Sequence, residues 1–290
     1  MEKATHSPLR AILLFLVLTF SLSSIFYVVI NITGKASPLY IAAMMWCPGI
    51  GALLACQTLR EPVALLGWGW RPGYQLVGYL IPIAYCLVAY LGIWVFGFGG
   101  FPNERFVASV SNSLGIESLS LWLQIAIYVL LTGTTGMLAG VAMALGEEIG
   151  WRGFLVPHLA KTTSFTGTAL VSGAIWAVWH YPITPIVYRG WTTPAWFWVP
   201  CFTIVAIAIS FALAWLRLVS GSLWPCVFLH ASHNLFMQQI FTPLTSETGP
   251  MTVYVVGDLG AAFVFVALIV AAIFWLKRRQ VPMPAIAAAS

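Results

Sequence analysis

A chain of 290 residues with 60% hydrophobic and only 7% charged side chains has too little polar surface to cover a soluble globule of its size. Its net charge of +5 is scattered along the chain, which excludes a nucleic-acid footprint and marks membrane topology instead. The five cysteines, Cys47, Cys56, Cys86, Cys201 and Cys226, fall in apolar runs without Cys-x-x-Cys spacing, so they read as small buried hydrophobes, not disulfides or metal ligands.

This composition specifies an all-α, polytopic membrane helical bundle. Apolar runs of roughly twenty residues, one bilayer crossing each, predict about eight transmembrane helices. They fall near residues 11–31, 39–58, 76–96, 119–158, 165–180, 196–217, 222–241 and 253–276. The first run is too long for a signal-peptide core and no small-x-small cleavage site follows it, so it is expected to be retained. The fourth is about 60 Å long at 1.5 Å per residue, twice the hydrocarbon thickness. It must tilt, protrude or break, and Gly133-Thr134-Thr135-Gly136 is the expected weak point. The chain divides into residues 1–118 with helices one to three, a core of 119–240 with helices four to seven, and 241–290 with the last helix and an Ala-rich tail.

Eight crossings put both termini on one side. Lys3, Arg10, Arg60, Arg71, Arg152, Lys161, Arg217, Lys277, Arg278 and Arg279 then oppose Lys35, Arg105 and Arg189. The positive-inside rule assigns the first group, and with it both termini, to the cytoplasm, and the asymmetry survives without Arg152, which lies inside a helix. Trp68 and Trp70 sit on a short connection of that side as interfacial anchors, while the connections 97–118 and 181–195 face the other side.

Few ionisable groups lie within the spans: Glu147, Glu148, Arg152, His158, His180, His230, His233 and Asp258, with Asn234 as a further polar group. Charge at this depth costs several kcal/mol unless it is paired, so such a cluster is a functional-site hypothesis by default. In a helix Glu148 and Arg152 share a face four residues apart, whereas Glu147 turns away and lies over Trp151. Glu148 thus has an internal partner, and Glu147 must find one elsewhere. Helices four and five form a hairpin about Thr162-Thr163-Ser164. Glu147 lies sixteen residues before Thr163 and His180 seventeen after it, which sets them at equal depth. His230 and Asn234 share a face of helix seven at a similar level. Each feature also has a structural reading. The Glu-Glu-Arg group can be an ion-pair lock, His180 a helix-end dipole partner, and His230 with Asn234 interhelical glue. His233 reads as a packed neighbour, His158 as an interfacial histidine, and Asp258 as a gating or packing carboxylate at the start of helix eight.

At these residues the chain resembles the CPBP or Abi family of CAAX proteases and bacteriocin-processing enzymes, to which type II CAAX prenyl endopeptidases are related. Glu147-Glu148-Ile149-Gly150-Trp151-Arg152 fits Glu-Glu-x-x-x-Arg. Trp176-Ala177-Val178-Trp179-His180 fits Phe-x-x-x-His with Trp in the Phe position, and His230-Ala231-Ser232-His233-Asn234 fits His-x-x-x-Asn. The matching region runs from about Leu119 to Phe236. The resemblance implies intramembrane peptide-bond hydrolysis. Glu147 is then the general base assisted by His180, His230 and Asn234 hold the oxyanion, and Glu148, Arg152 and Trp151 orient the site. Burial strengthens a carboxylate as a base, and side-chain donors in a low-dielectric cavity stabilise developing charge. No cofactor is expected. A rival enzyme reading lets Glu147, Glu148, His180 and His230 hold Zn²⁺ with an open position for water. From other classes come a proton-coupled carrier and a silent scaffold. The expected partners are the bilayer and a hydrophobic, lipidated or membrane-embedded peptide, with no nucleic acid.

Overall fold

The computed structural model describes residues 6–187 and 193–282, so Lys3, Arg189 and the Ala-rich tail lie outside the described residues. The architecture is all-α. Among the described residues there is no strand, and one isolated bridge joins Gly100 to Ser246.

Ser7 and Ser37 cap helices α1 (Pro8–Thr33) and α2 (Pro38–Leu59), each side chain accepting from the backbone N–H three residues on, and each helix has Pro at its first position. Next come α3 (Pro72–Val95), α4 (Glu104–Leu114), the 40-residue α5 (Leu121–Ala160), α6 (Phe165–His180) and α7 (Ala195–Ser220). The last two are α8, which is α-helical over Trp224–His233 and π-helical over Asn234–Phe241, and α9 (Ala261–Leu276). Six helices, α1, α2, α3, α5, α7 and α9 with its short extension, are long and apolar enough to cross a bilayer. The two other expected spans are helical but shorter: α6 has 16 residues, and α8 leaves the α-helical path after 10. Large apolar side chains such as Val17, Leu91, Leu138 and Phe265 face outward, as an integral membrane protein requires.

Two elements differ from expectation. The connection 97–118 contains α4, whose sequence is too polar for a hydropathy window but segregates Val107 and Ser111 to a buried side. The last span starts at Ala261, not at 253, because Gly257 (φ 82°) breaks the chain after the short turn Thr252–Val255. Asp258 therefore lies in the turn before α9.

In the bundle α2 packs along α1 and α5, α8 lies between α3 and α5, and α7 lies between α6 and α9. At one end Arg71 Nε donates to the Ser220 carbonyl (3.4 Å) and Trp215 Nε1 to that of Lys277 (3.3 Å), so basic residues from three connections gather there. Trp68, Trp70 and Trp224 form an aromatic cluster at this end. At the opposite end the loop after α3 pairs with the loop after α8 through Gly100–Ser246 and Asn103–Leu244.

Candidate active site

The site begins with a defect in α5. Over Ile149–Leu155 the helix is π-helical, with the Val156 N–H bonded to Trp151 five residues back. The carbonyl of Arg152 loses its partner in this register, because the residue five positions on is Pro157, which has no N–H. Arg217 supplies the replacement: Nε donates to the Arg152 carbonyl at 2.9 Å and a terminal nitrogen to Leu65 at 3.1 Å. Expected as a surface topology marker, Arg217 is buried, and its side chain stitches the defect to the loop after α2. That loop comes close enough only because Gly67, at φ 90°, has no side chain; a Cβ there would lie 2.9 Å from the Arg217 guanidinium. The motif's own glycine works the same way, since a Cβ on Gly150 would sit 2.5 Å from Pro48 of α2.

All seven residues of this segment are buried, and the two carboxylates before it have separate surroundings. Glu148 pairs with Arg152 (2.9 Å) and accepts from His230 Nδ1 (2.9 Å), both on Oε1. Glu147 has no ion pair among the described residues; two indole N–H groups, Trp176 (2.8 Å) and Trp151 (3.2 Å), donate to its Oε2. Its other oxygen, Oε1, takes no hydrogen bond from a described residue. The Trp in the Phe position of the second motif therefore supplies a donor that Phe lacks. Trp176 also lies under the Arg152 guanidinium (4.5 Å) and edge-on to His180 and His230, with ring centroids 5.4 and 5.6 Å away. His180 Nδ1 donates to the Trp176 carbonyl at 2.8 Å, which fixes its tautomer and leaves Nε2 with a lone pair. The contact ties the ring to the last turn of α6 and leaves Nε2 free to act as a base.

Glu147, Trp176, His180, His230 and Asn234 line one cavity of about 160 Å³, many times the space of one water, together with apolar side chains such as Met44, Phe202 and Ile209. Asn234 makes no side-chain hydrogen bond to a described residue. Residues 119–236 match the family model described as Type II CAAX prenyl endopeptidase Rce1-like. Over that stretch the chain is similar to this family. No curated protein matches it. The matched region takes in α5 to α7 and the start of α8, and with them all three motifs. Helices α1 to α3 carry no motif and brace the matched region. Phe15 packs on Trp151 and Phe154 (5.6 and 5.2 Å), Ser23 accepts from Trp179 Nε1 (2.8 Å), and Tyr27 donates to the Trp179 carbonyl (2.6 Å).

The same cavity tests the fit of a metal. Glu148 is engaged by Arg152 and His230, and His180 Nδ1 by a carbonyl, so Glu147 and two imidazole Nε2 atoms would have to form the set. Among the described residues no three His, Cys, Asp or Glu side chains converge to hold a metal ion. Two histidines that the sequence places outside the site have defined partners. His233 lines the cavity with Asp258 and Gln238, its ring stacked on Phe263 at 5.1 Å, so it is more than a packed neighbour. His158 is buried; Nδ1 donates to the Phe154 carbonyl (2.8 Å) and Nε2 lies 3.2 Å from Glu61, which ties the far end of the π-helical segment to the loop after α2. Tyr85, which hydrogen-bonds His233, had no sequence signal at all, because a lone Tyr in an apolar helix looks like core.

Proposed function

We propose that this chain is an intramembrane endopeptidase of the glutamate type, acting on hydrophobic or lipidated peptides. Prenylated C-termini form one such class, suggested by the family it matches. The observation that carries the reading is the contrast between the two carboxylates. Glu148 is neutralised by Arg152, whereas Glu147 faces the cavity held only by neutral indole donors, with Oε1 left to bind water.

In this mechanism a water in the cavity gives a proton to Glu147 as its oxygen attacks the scissile carbonyl carbon. The carbonyl π electrons move onto oxygen, and the oxyanion is met by Asn234 and, in its imidazolium form, by His230 Nε2–H. Collapse of the tetrahedral intermediate restores the carbonyl and breaks the C–N bond, while the proton held at Glu147 passes to the leaving amine directly or through His180 Nε2. Glu148 holds His230 by Nδ1, and Arg152 balances the charge of Glu148. The end of the bundle that gathers Arg71, Arg217 and Lys277 is assigned to the cytoplasm by its positive charge.

The test is cleavage of a panel of fluorogenic hydrophobic peptides, farnesylated and plain, by detergent-purified protein and by Glu147→Gln, with and without a zinc chelator. Glutamate chemistry requires cleavage that disappears in the variant and persists under chelation. Loss under chelation that Zn²⁺ restores would reassign the site to a metalloprotease. Hydrolysis that survives in Glu147→Gln would sink the assignment of the base.

A further inference from the structure

The cavity has a second polar end that the proposed chemistry does not use. Gln238 Nε2 donates to Asp258 Oδ2 at 2.8 Å, Asp258 Oδ1 lies 3.2 Å from His233 Nε2, and His233 Nδ1 lies 2.7 Å from the Tyr85 hydroxyl. Three elements, α3, α8 and the turn before α9, are tied together by this chain of contacts. Its effect on Gln238 is specific. A carboxylate only accepts hydrogen bonds, so the NH₂ end of the amide must face Asp258. Oε1 is thereby turned into a fixed acceptor, and no described residue donates to it.

His230, Asn234 and Gln238 follow one another every four residues along α8, and all three line the cavity. Asn234 and Gln238 lie in the π-helical segment, whose wider turn sets four residues somewhat closer than the roughly 6 Å of an α-helix. An extended peptide repeats its main-chain groups every two residues, about 6.6 Å. A chain laid along this face therefore meets Asn234 with one main-chain group and Gln238 with another, one or two residues away. We propose that Gln238 is a substrate-binding residue whose Oε1 accepts a main-chain N–H of an extended peptide beside the scissile bond, with Asp258 as the positioning residue that orients the amide. The inference rests on the reading in which His230 and Asn234 face the scissile carbonyl. It names the substrate class as a locally unfolded, extended peptide with a secondary amide at that position. Proline there is rejected, because it has no N–H to give.

The experiment uses a cleavable peptide and a series of its derivatives, each N-methylated at one amide. Affinity is measured with Glu147→Gln protein and kcat/KM with the wild-type catalytic residue, in both cases with and without Gln238→Met, which keeps the side chain's shape and removes the acceptor. At one amide within two residues of the scissile bond, methylation should cost about tenfold, mainly in KM, the size of one net hydrogen bond. Gln238→Met should lose about the same tenfold on the unmethylated peptide and lose nothing more on methylation at that amide. The double variant Gln238→Glu/Asp258→Asn reverses donor and acceptor within the pair but keeps an acceptor oxygen toward the cavity, and should recover most of the loss. Penalties that multiply at every amide, wild-type affinity in Gln238→Met, or no saturable peptide binding at all would each overturn the inference. Hydrolysis by Glu147→Gln overturns the catalytic reading instead, and leaves the binding comparison to stand or fall on its own.

Discussion

Helix α5 carries two π-helical segments with opposite fates. In Thr132–Gly136 no residue is buried, nothing lies within 4 Å of where a Cβ on Gly133 would be, and the Thr134 and Thr135 hydroxyls donate back to the Leu130 and Leu131 carbonyls. This defect satisfies itself locally and holds no ionisable group. In Ile149–Leu155 every residue is buried, and Arg217 from α7 takes the carbonyl that the defect releases. Arg152 is paired with Glu148 and reaches Ser210 of α7 at 3.4 Å. A π-helical turn is thus not in itself a site. It becomes one where other helices must supply its missing bonds, because the same cross-links fix the charged side chains in place.

Substitutions in the two segments sharpen this contrast. The largest effect belongs to Glu147→Gln, just before the buried segment: hydrolysis should fall by about 10³-fold or more, with an unchanged melting curve, as expected for loss of a general base. Arg152→Met leaves the buried Glu148 carboxylate with His230 as its remaining partner and should destabilise the fold by about 3 kcal/mol, read by thermal unfolding in detergent. Gly150→Ala puts a methyl group against the Pro48 backbone and should cost about 1–3 kcal/mol in the same assay. Trp176→Phe removes the 2.8 Å indole donor to Glu147 but keeps an aromatic ring under Arg152, so kcat should drop about tenfold with little change in stability. The smallest effect is expected in the exposed segment, where Thr134→Ala with Thr135→Ala should stay within about 0.5 kcal/mol and leave activity intact. A large loss there would break the comparison, for it would mean that the first defect is also part of the machine.

Much of the site was legible because polar residues are so scarce in this chain. The Glu148–Arg152 pair follows from four-residue spacing, and the placement of Glu147 over Trp151 follows from the helical repeat. The weak point at Gly133-Thr134-Thr135-Gly136 was visible as a glycine-flanked stretch in an overlong helix. Other features left no signal. A π-helical turn at Ile149–Leu155 is hidden because its residues are ordinary helix formers apart from two glycines, and only Pro157 marks the lost N–H. Arg217 looked like one more cation at a helix end, since a sequence does not say which carbonyl will be left without a partner. His233 and Asp258 are 25 residues apart and join only through tertiary packing.

By itself the sequence determined an all-helical membrane bundle, the depth shared by Glu147 and His180, and the local pairings within one helix. These depend on composition and on periods of a few residues, which the chain carries along its length. Tertiary structure alone decided that Trp176 would donate to Glu147, that His230 would be held by Glu148, and that Gln238 would donate to Asp258. Each of these depends on a hydrogen bond between residues at least 20 positions apart, and the approach of the helices that carry them is set by packing around glycines and by buried groups that must find partners.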